Sequence, residues 1–246
     1  MDVDYDQGLS TNFPYPVRSY PGKRLLDVIL AVLGLLILSP LFLLAALAVR
    51  LSSPGPIFYR GLRAGLRGRP FWQLKFRTMR VDHDRRPFTG KEDPRVTTVG
   101  RVLRLFRIDE LPQLINILRG EMSWVGPRPE ELSVVKRCYT REQLRVLSAR
   151  PGLTGTVQVK YFPGLEFCIP PGVDPQEYYE KVLLPRRLEE DLQYVDRMSL
   201  LVDIWVLIRT LYCIFVKSWF FLLAKVRSAD VSVGQTGGPA SLAEAG

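Results

Sequence analysis

The stretch KRLLDVILAVLGLLILSPLFLLAALAVR, residues 23–50, decides what kind of fold this chain can adopt. From 25 to 49 it is nearly all apolar, with Asp27 its single charge. That run exceeds the roughly 20 residues a membrane-spanning helix needs. It is apolar on every face, unlike the surface helix of a soluble domain. It is too long and starts too late for a signal peptide, and no small-residue cleavage pattern follows it. A transmembrane helix is the simplest reading, but Ser39-Pro40 sits just past the middle. Proline removes a backbone donor and clashes with the preceding turn, so a kink is expected there. Both flanks are also basic. Lys23 and Arg24 precede the run; Arg50, Arg60, Arg63, Arg67, Arg69, Lys75, Arg77 and Arg80 follow it, with no acid until Asp82. Positive flanks favour the cytoplasmic side, and a helix that enters and returns satisfies both ends at once. On the residues alone, the spanning and re-entrant readings both stand.

A second apolar stretch, 199–226, carries Asp203, Arg209, Lys217 and Lys225, too many charges for an easy span. Asp203, Thr210 and Lys217 share one helix face, while leucines, isoleucines, Trp205, Phe215 and Trp219 fill the others. That pattern predicts a helix lying in the membrane interface, although Arg209 falls off the polar stripe. A packed core helix is the alternative. The net charge of +9 and sequence pI near 9.6 call for an anionic partner. Next to a membrane helix, lipid headgroups are a simpler partner for the basic run 60–80 than nucleic acid, which is not expected. The three cysteines form no CxxC and leave an odd thiol, so they are read as reduced. A single histidine, His83, in a polar loop argues against a zinc site or a serine triad.

The 246 residues suit one domain with appendages: an irregular tail at 1–21, the membrane helix at 22–50, a catalytic domain at 51–198, the interfacial helix at 199–227 and a disordered tail at 228–246. Ser52-Ser53-Pro54-Gly55-Pro56 breaks the chain sharply. Residues 57–60 and 71–77 read as two strands of a hairpin with a long glycine-bearing loop. Helices are expected at 99–106, 110–118, 141–149 and 174–198, the last interrupted at Pro185, with a charged loop at 81–95 and a turn at 150–155. The fold class is mainly α with a small β-hairpin, α+β.

Chemistry concentrates at Asp109 and Glu110. Adjacent carboxylates repel unless a cation stands close, and Arg104, Arg107, Arg119 and Arg128 surround them. Arg128 is held between Pro127 and Pro129. Asp109 is placed to cap the helix that follows, and Glu110 to sit in its first turn. Capping does not exclude catalysis: a carboxylate can attack phosphorus and form an acyl phosphate, and magnesium takes oxygens from one or two carboxylates plus substrate phosphates.

The chain resembles the bacterial sugar transferases, monotopic phosphoglycosyl transferases that begin glycan assembly. The likeness is carried by Lys23-Arg24-Leu25-Leu26-Asp27, Ser39-Pro40, Ser53-Pro54-Gly55-Pro56-Ile57-Phe58 and Lys75-Phe76-Arg77-Thr78-Met79. It continues in Ile108-Asp109-Glu110-Leu111-Pro112-Gln113, Ser123-Trp124-Val125-Gly126-Pro127-Arg128-Pro129 and Arg150-Pro151-Gly152-Leu153-Thr154-Gly155, in the family's order. The resemblance implies a re-entrant helix bent at Ser39-Pro40, both ends cytosolic, at the bacterial inner membrane. It implies transfer of a sugar-1-phosphate from a UDP-sugar to polyprenol (undecaprenyl) phosphate with release of UMP. Asp109 is then the nucleophile, and Glu110 its partner with Mg2+ or with the acceptor's proton. Arg104, Arg128, Lys75 and Arg150 are the implied phosphate contacts. Membrane lipids are further partners, and a homo-oligomer is compatible with the sequence. Two departures stand out: Thr156-Val157-Gln158-Val159 where the family has Trp-Ala-Gln-Val, and the Pro- and Gly-rich segment 161–175. No additional N-terminal membrane helices of the larger relatives are expected. A non-catalytic membrane-surface scaffold binding anionic lipid is the competing class.

Overall fold

A computed structural model describes residues 13–80, 93–162, 164–170 and 172–219. His83, most of the charged loop at 81–95, the end of the interfacial helix and the tail at 228–246 lie outside them. The apolar run forms two helices, α1 (Lys23–Ile37) and α2 (Ser39–Ser52), meeting at 65°. Pro40 sits in the first turn of α2, where its missing N–H costs nothing. Ser39 Oγ donates to the carbonyl of Leu36 at 2.9 Å, satisfying an acceptor at the break. Among the described residues no single helix is long and apolar enough to cross a membrane; the bent pair together meets that test of length and composition.

An antiparallel hairpin follows, β1 (Phe58–Ala64) and β2 (Pro70–Phe76), in a register that pairs Phe58 with Phe76 and Ala64 with Pro70. The first strand is longer and the connection tighter than the sequence suggested, because Gly61 is absorbed into β1 and a short turn at Leu66–Gly68 closes the loop. Then come α3 (Thr98–Leu105), α4 (Gln113–Arg119), β3 (Ser123–Val125), α5 (Leu132–Cys138), β4 (Gly152–Thr154) and α6 (Thr156–Lys160). The expected helix at 141–149 is a 3-10 segment, Gln143–Ser148. The expected turn at 150–155 contains β4, which pairs in parallel with β3. The two chains approach so closely that a Cβ on Gly126 or Gly152 would overlap backbone atoms of the other, which explains both glycines. The 174–198 helix is α7 (Pro175–Tyr178), a π turn at Tyr179–Leu183 and α8 (Leu184–Arg197); the irregularity falls just before Pro185. The last element is α9 (Leu200–Tyr212), running into a π turn at Cys213–Lys217.

The helices of the apolar run are part of the core. Ala31 of α1 packs with Leu114 and Ile117 of α4, Met122 and Phe71; Ala45 and Val49 of α2 pack with Phe76 and Leu103. Lys23 and Asp27 of α1 point inward. Asp27, 3% exposed, accepts from Ser123 Oγ and the Trp124 N–H. Lys23 Nζ donates to Asp203 of α9 at 2.5 Å, and Asp203 also accepts from Tyr20 and Tyr194. The α9 stripe divides: Asp203 is buried and Thr210 meets Thr154 at 2.7 Å, so these two dock the helix with much of its apolar side facing out, while Lys217 is exposed. Leu36, Leu43, Leu44, Leu201, Ile208 and Phe215 are all well exposed. The part of the N-terminal tail from 13 onward is pinned: Arg18 N–H donates to Ser148 O and Tyr15 OH to Arg141 O.

Candidate active site

Between α3 and α4 the chain makes one tight 3-10 turn, Ile108–Glu110. Arg107 enters it in the left-handed region, φ 58°, a conformation that non-glycine residues adopt only at a cost. The turn tucks two adjacent acids against the β2 strand, and both are buried. The expected capping role of Asp109 is not observed. Pro112 occupies the N-cap of α4, and no side chain caps either element.

The two carboxylates are in different states. Glu110 Oε1 accepts from Lys75 Nζ at 2.8 Å and from Arg107 Nη1 at 3.3 Å. Burial opposes its ionisation, yet Lys75, Arg107 and Arg128 outweigh burial and hold the group well below the usual carboxylate range. Asp109 Oδ1 is buried with no hydrogen-bond partner among the described residues. Burial, reinforced by the charge of Glu110 and only partly offset by Lys75, Arg107 and Arg104, pushes Asp109 up to about 6. One acid is thus a fixed anion clamped by cations. The other is an unclamped carboxylate more basic than usual, which is what a nucleophile needs.

The predicted cations divide. Lys75 and Arg128 line a polar cleft with Glu110, Gln113 and Gln158. Arg104 anchors its Nε on Thr78 Oγ1 at 2.8 Å and acts on Asp109 through its charge. Arg150 does not line this cleft: its Nε donates to the Gly120 carbonyl at 3.0 Å, and Arg24 is the cation nearest in effect. Ser39 and Pro40 sit at the helix bend rather than at the acids.

Several participants were missed in the sequence. The peptide of Arg128 is gripped at both ends: its N–H donates to Asp191 at 3.3 Å, and its carbonyl accepts from Arg187 Nη2 at 2.8 Å. Arg187 is fully buried and also donates to Glu130 and Tyr179. This network fixes the loop that carries Arg128, and no local pattern announces a buried arginine on an otherwise amphipathic helix. Gln73, by contrast, alternates with Lys75 on one strand face, and that spacing was a usable signal.

Among the described residues no group of three or more His, Cys, Asp or Glu could hold a metal. A magnesium ion held by one or two carboxylates and otherwise by substrate phosphates needs no such cage. The unpartnered Asp109 Oδ1 fits that requirement, whereas Glu110 Oε1 is already taken by two cations.

The family model for bacterial sugar transferases matches residues 18–217. The chain is 43% identical over 192 residues to the UDP-glucose:undecaprenyl-phosphate glucose-1-phosphate transferase of Caulobacter vibrioides, covering 76% of this chain and 67% of that one. It is 40% identical over 204 residues to the Escherichia coli protein of the same description, covering 79% of this chain and 40% of the relative. It is 40% identical over 209 residues to the exopolysaccharide production protein ExoY of Sinorhizobium fredii, covering 77% and 83%. The chain therefore spans well under half of one of these relatives and most of another.

Proposed function

We propose, from the premise that this chain belongs to the bacterial sugar transferase family, that it moves a sugar-1-phosphate from a UDP-sugar to undecaprenyl phosphate and releases UMP. The observation that carries the mechanism is the unpartnered, buried Asp109 oxygen inside a ring of cations. In the first step the Asp109 carboxylate attacks the phosphorus that bears the sugar. The bond from that phosphorus to the bridging oxygen breaks, and UMP leaves with the bridging oxygen and its electron pair. The sugar phosphate is then held on Asp109 as an acyl phosphate. In the second step an oxygen of undecaprenyl phosphate attacks the same phosphorus and the aspartate leaves as a free carboxylate. The acceptor oxygen is already an anion, so no base is needed.

Glu110 accordingly holds charge rather than protons. Its depressed pKa makes it a poor base, but it fixes Lys75 and Arg107, and its negative charge raises the basicity of Asp109. Lys75, Arg104 and Arg128 then meet the anionic oxygens of substrate and transition state, where fixed donors are most effective. Asp109, together with substrate phosphates, would hold magnesium, which would supply charge neutralisation there.

The outward apolar faces of α1, α2 and α9 support a site at a membrane surface. The 65° bend and the basic residues flanking both ends support a re-entrant hairpin on the cytoplasmic face of the bacterial inner membrane.

The test is mass spectrometry after incubation with a UDP-sugar and magnesium but no lipid. The peptide containing Asp109 should gain one sugar-phosphate mass as UMP appears, and Asp109→Asn should abolish both. UMP release without an adduct would replace the two-step mechanism by direct transfer.

A further inference from the structure

Beside the acid pair runs a hydrogen-bonded relay that phosphoryl transfer leaves unused. Arg63 Nε donates to Gln73 Oε1 at 3.3 Å, and Gln73 Nε2 donates to Gln113 Oε1 at 3.0 Å. A guanidinium has no acceptor, so Arg63 fixes Gln73 with its oxygen toward Arg63 and its NH2 toward Gln113. Gln113 is fixed in turn, and its own Nε2 points onward as a donor. That nitrogen is buried without a partner among the described residues, on a side chain only 1% exposed. All three residues line the cleft that holds Lys75, Glu110 and Arg128. Buried donors are rarely left unmade, and one aimed into a cleft points to a ligand.

A neutral amide among cations suits a neutral oxygen, because the phosphate charges have Lys75 and Arg128. Its place narrows which oxygen. Gln113 follows Asp109 and Glu110 by about one helical turn. When Asp109 attacks, the sugar is bonded to the very phosphoryl group being transferred, whereas the uracil is separated from it by a second phosphate and a ribose. We propose that Gln113 Nε2 donates a hydrogen bond to a hydroxyl of the transferred sugar, with Arg63 and Gln73 as the positioning residues that aim it. Gln158, whose Oε1 is also buried without a partner on the same cleft, supplies an acceptor for that hydroxyl or its neighbour. The cleft thereby reads the hydroxyl pattern of the sugar. This inference rests on Asp109 being the site of phosphosugar transfer.

Affinity tests it apart from turnover. In the Asp109→Asn protein, binding of UDP, UDP-glucose and its 2-, 3-, 4- and 6-deoxy analogues is measured by calorimetry with magnesium in detergent. One deoxy analogue should bind about tenfold more weakly than UDP-glucose. Gln113→Leu should lower UDP-glucose to the affinity of that analogue and leave UDP unchanged. Gln73→Leu, which removes the partner that aims Gln113, should erode the same preference and guards against a folding defect specific to position 113. Equal weakening of UDP and UDP-glucose would assign Gln113 to the nucleotide and overturn the proposal. So would a preference that survives both variants, or no preference at all. If the unaltered chain releases no UMP from UDP-glucose, the transfer reading falls and this inference with it, whereas UMP release beside a preference that survives both variants overturns this inference alone.

Discussion

Asp109 and Glu110 are neighbours in sequence with opposite electrostatic fates, and the difference is geometric. Glu110 reaches Lys75 and Arg107; Asp109 keeps one buried oxygen with no hydrogen-bond partner among the described residues. The rate of sugar-phosphate transfer should therefore fall as pH drops through about 6, where the Asp109 carboxylate takes up its proton. The same shift bears on stability. A carboxyl raised from 3.8 to about 6 on folding stabilises the fold below the lower value, and that contribution is lost as pH rises through the upper one. Asp109→Asn should then be more stable than the parent at pH 8, by an amount on the order of 1–3 kcal/mol. The advantage should shrink toward pH 4. Thermal melts showing a pH-independent difference would remove the buried charge as its cause. Much of this site was legible in the sequence, because the acids, Lys75, Arg104 and Arg128 stand in short motifs with distinctive neighbours. Arg107 stood out there only as a nearby cation, and the roles of Gln113 and Arg187 were not legible, since an oriented amide and a buried guanidinium are products of tertiary packing.

At the scale of elements, the periodicity of α9 told which residues share a face but not which medium that face meets. Polar residues on an apolar helix read as facing water, yet here Asp203 and Thr210 face protein. The helix bend was legible because Pro40 acts locally, and β3 and β4 were not, because three-residue strands joined across glycines carry no period. The Lys23–Asp203 pair fastens α1 to α9 inside the core. Breaking one side of such a pair typically costs about 3–5 kcal/mol, since the other charge is stranded. Lys23→Met should lower the melting temperature in detergent accordingly, and Lys23→Met with Asp203→Leu should recover part of the loss. A double variant no more stable than the single would mean that the tyrosine contacts of Asp203, and not the ion pair, hold the helices together.

Across the whole molecule, the outward faces of α1, α2 and α9 form the apolar exterior, and Ile108 and Leu111, which flank the acid pair, pack against the cluster that α2 fills. Flotation with anionic vesicles should persist at about 1 M salt, where charge attraction alone is screened within about 3 Å. A lipid-binding scaffold held by its basic run would be stripped off. In a cysteine-free background, Arg18→Cys and Arg50→Cys should label from the same side of sealed inner-membrane vesicles, which a spanning helix would not allow. Ala31, Leu35, Ala45 and Val49 have a further consequence. They are the floor beneath Leu114, Ile117, Phe76 and Leu103, so removing residues 1–52 would not liberate a smaller water-soluble enzyme but expose the apolar underside of α3, α4 and β2. The hairpin is at once anchor and foundation. On the proposed placement at a membrane, forces that lipid exerts on the pair, through acyl-chain length or lateral pressure, would reach the turn that carries Asp109 through Ile108 and Leu111.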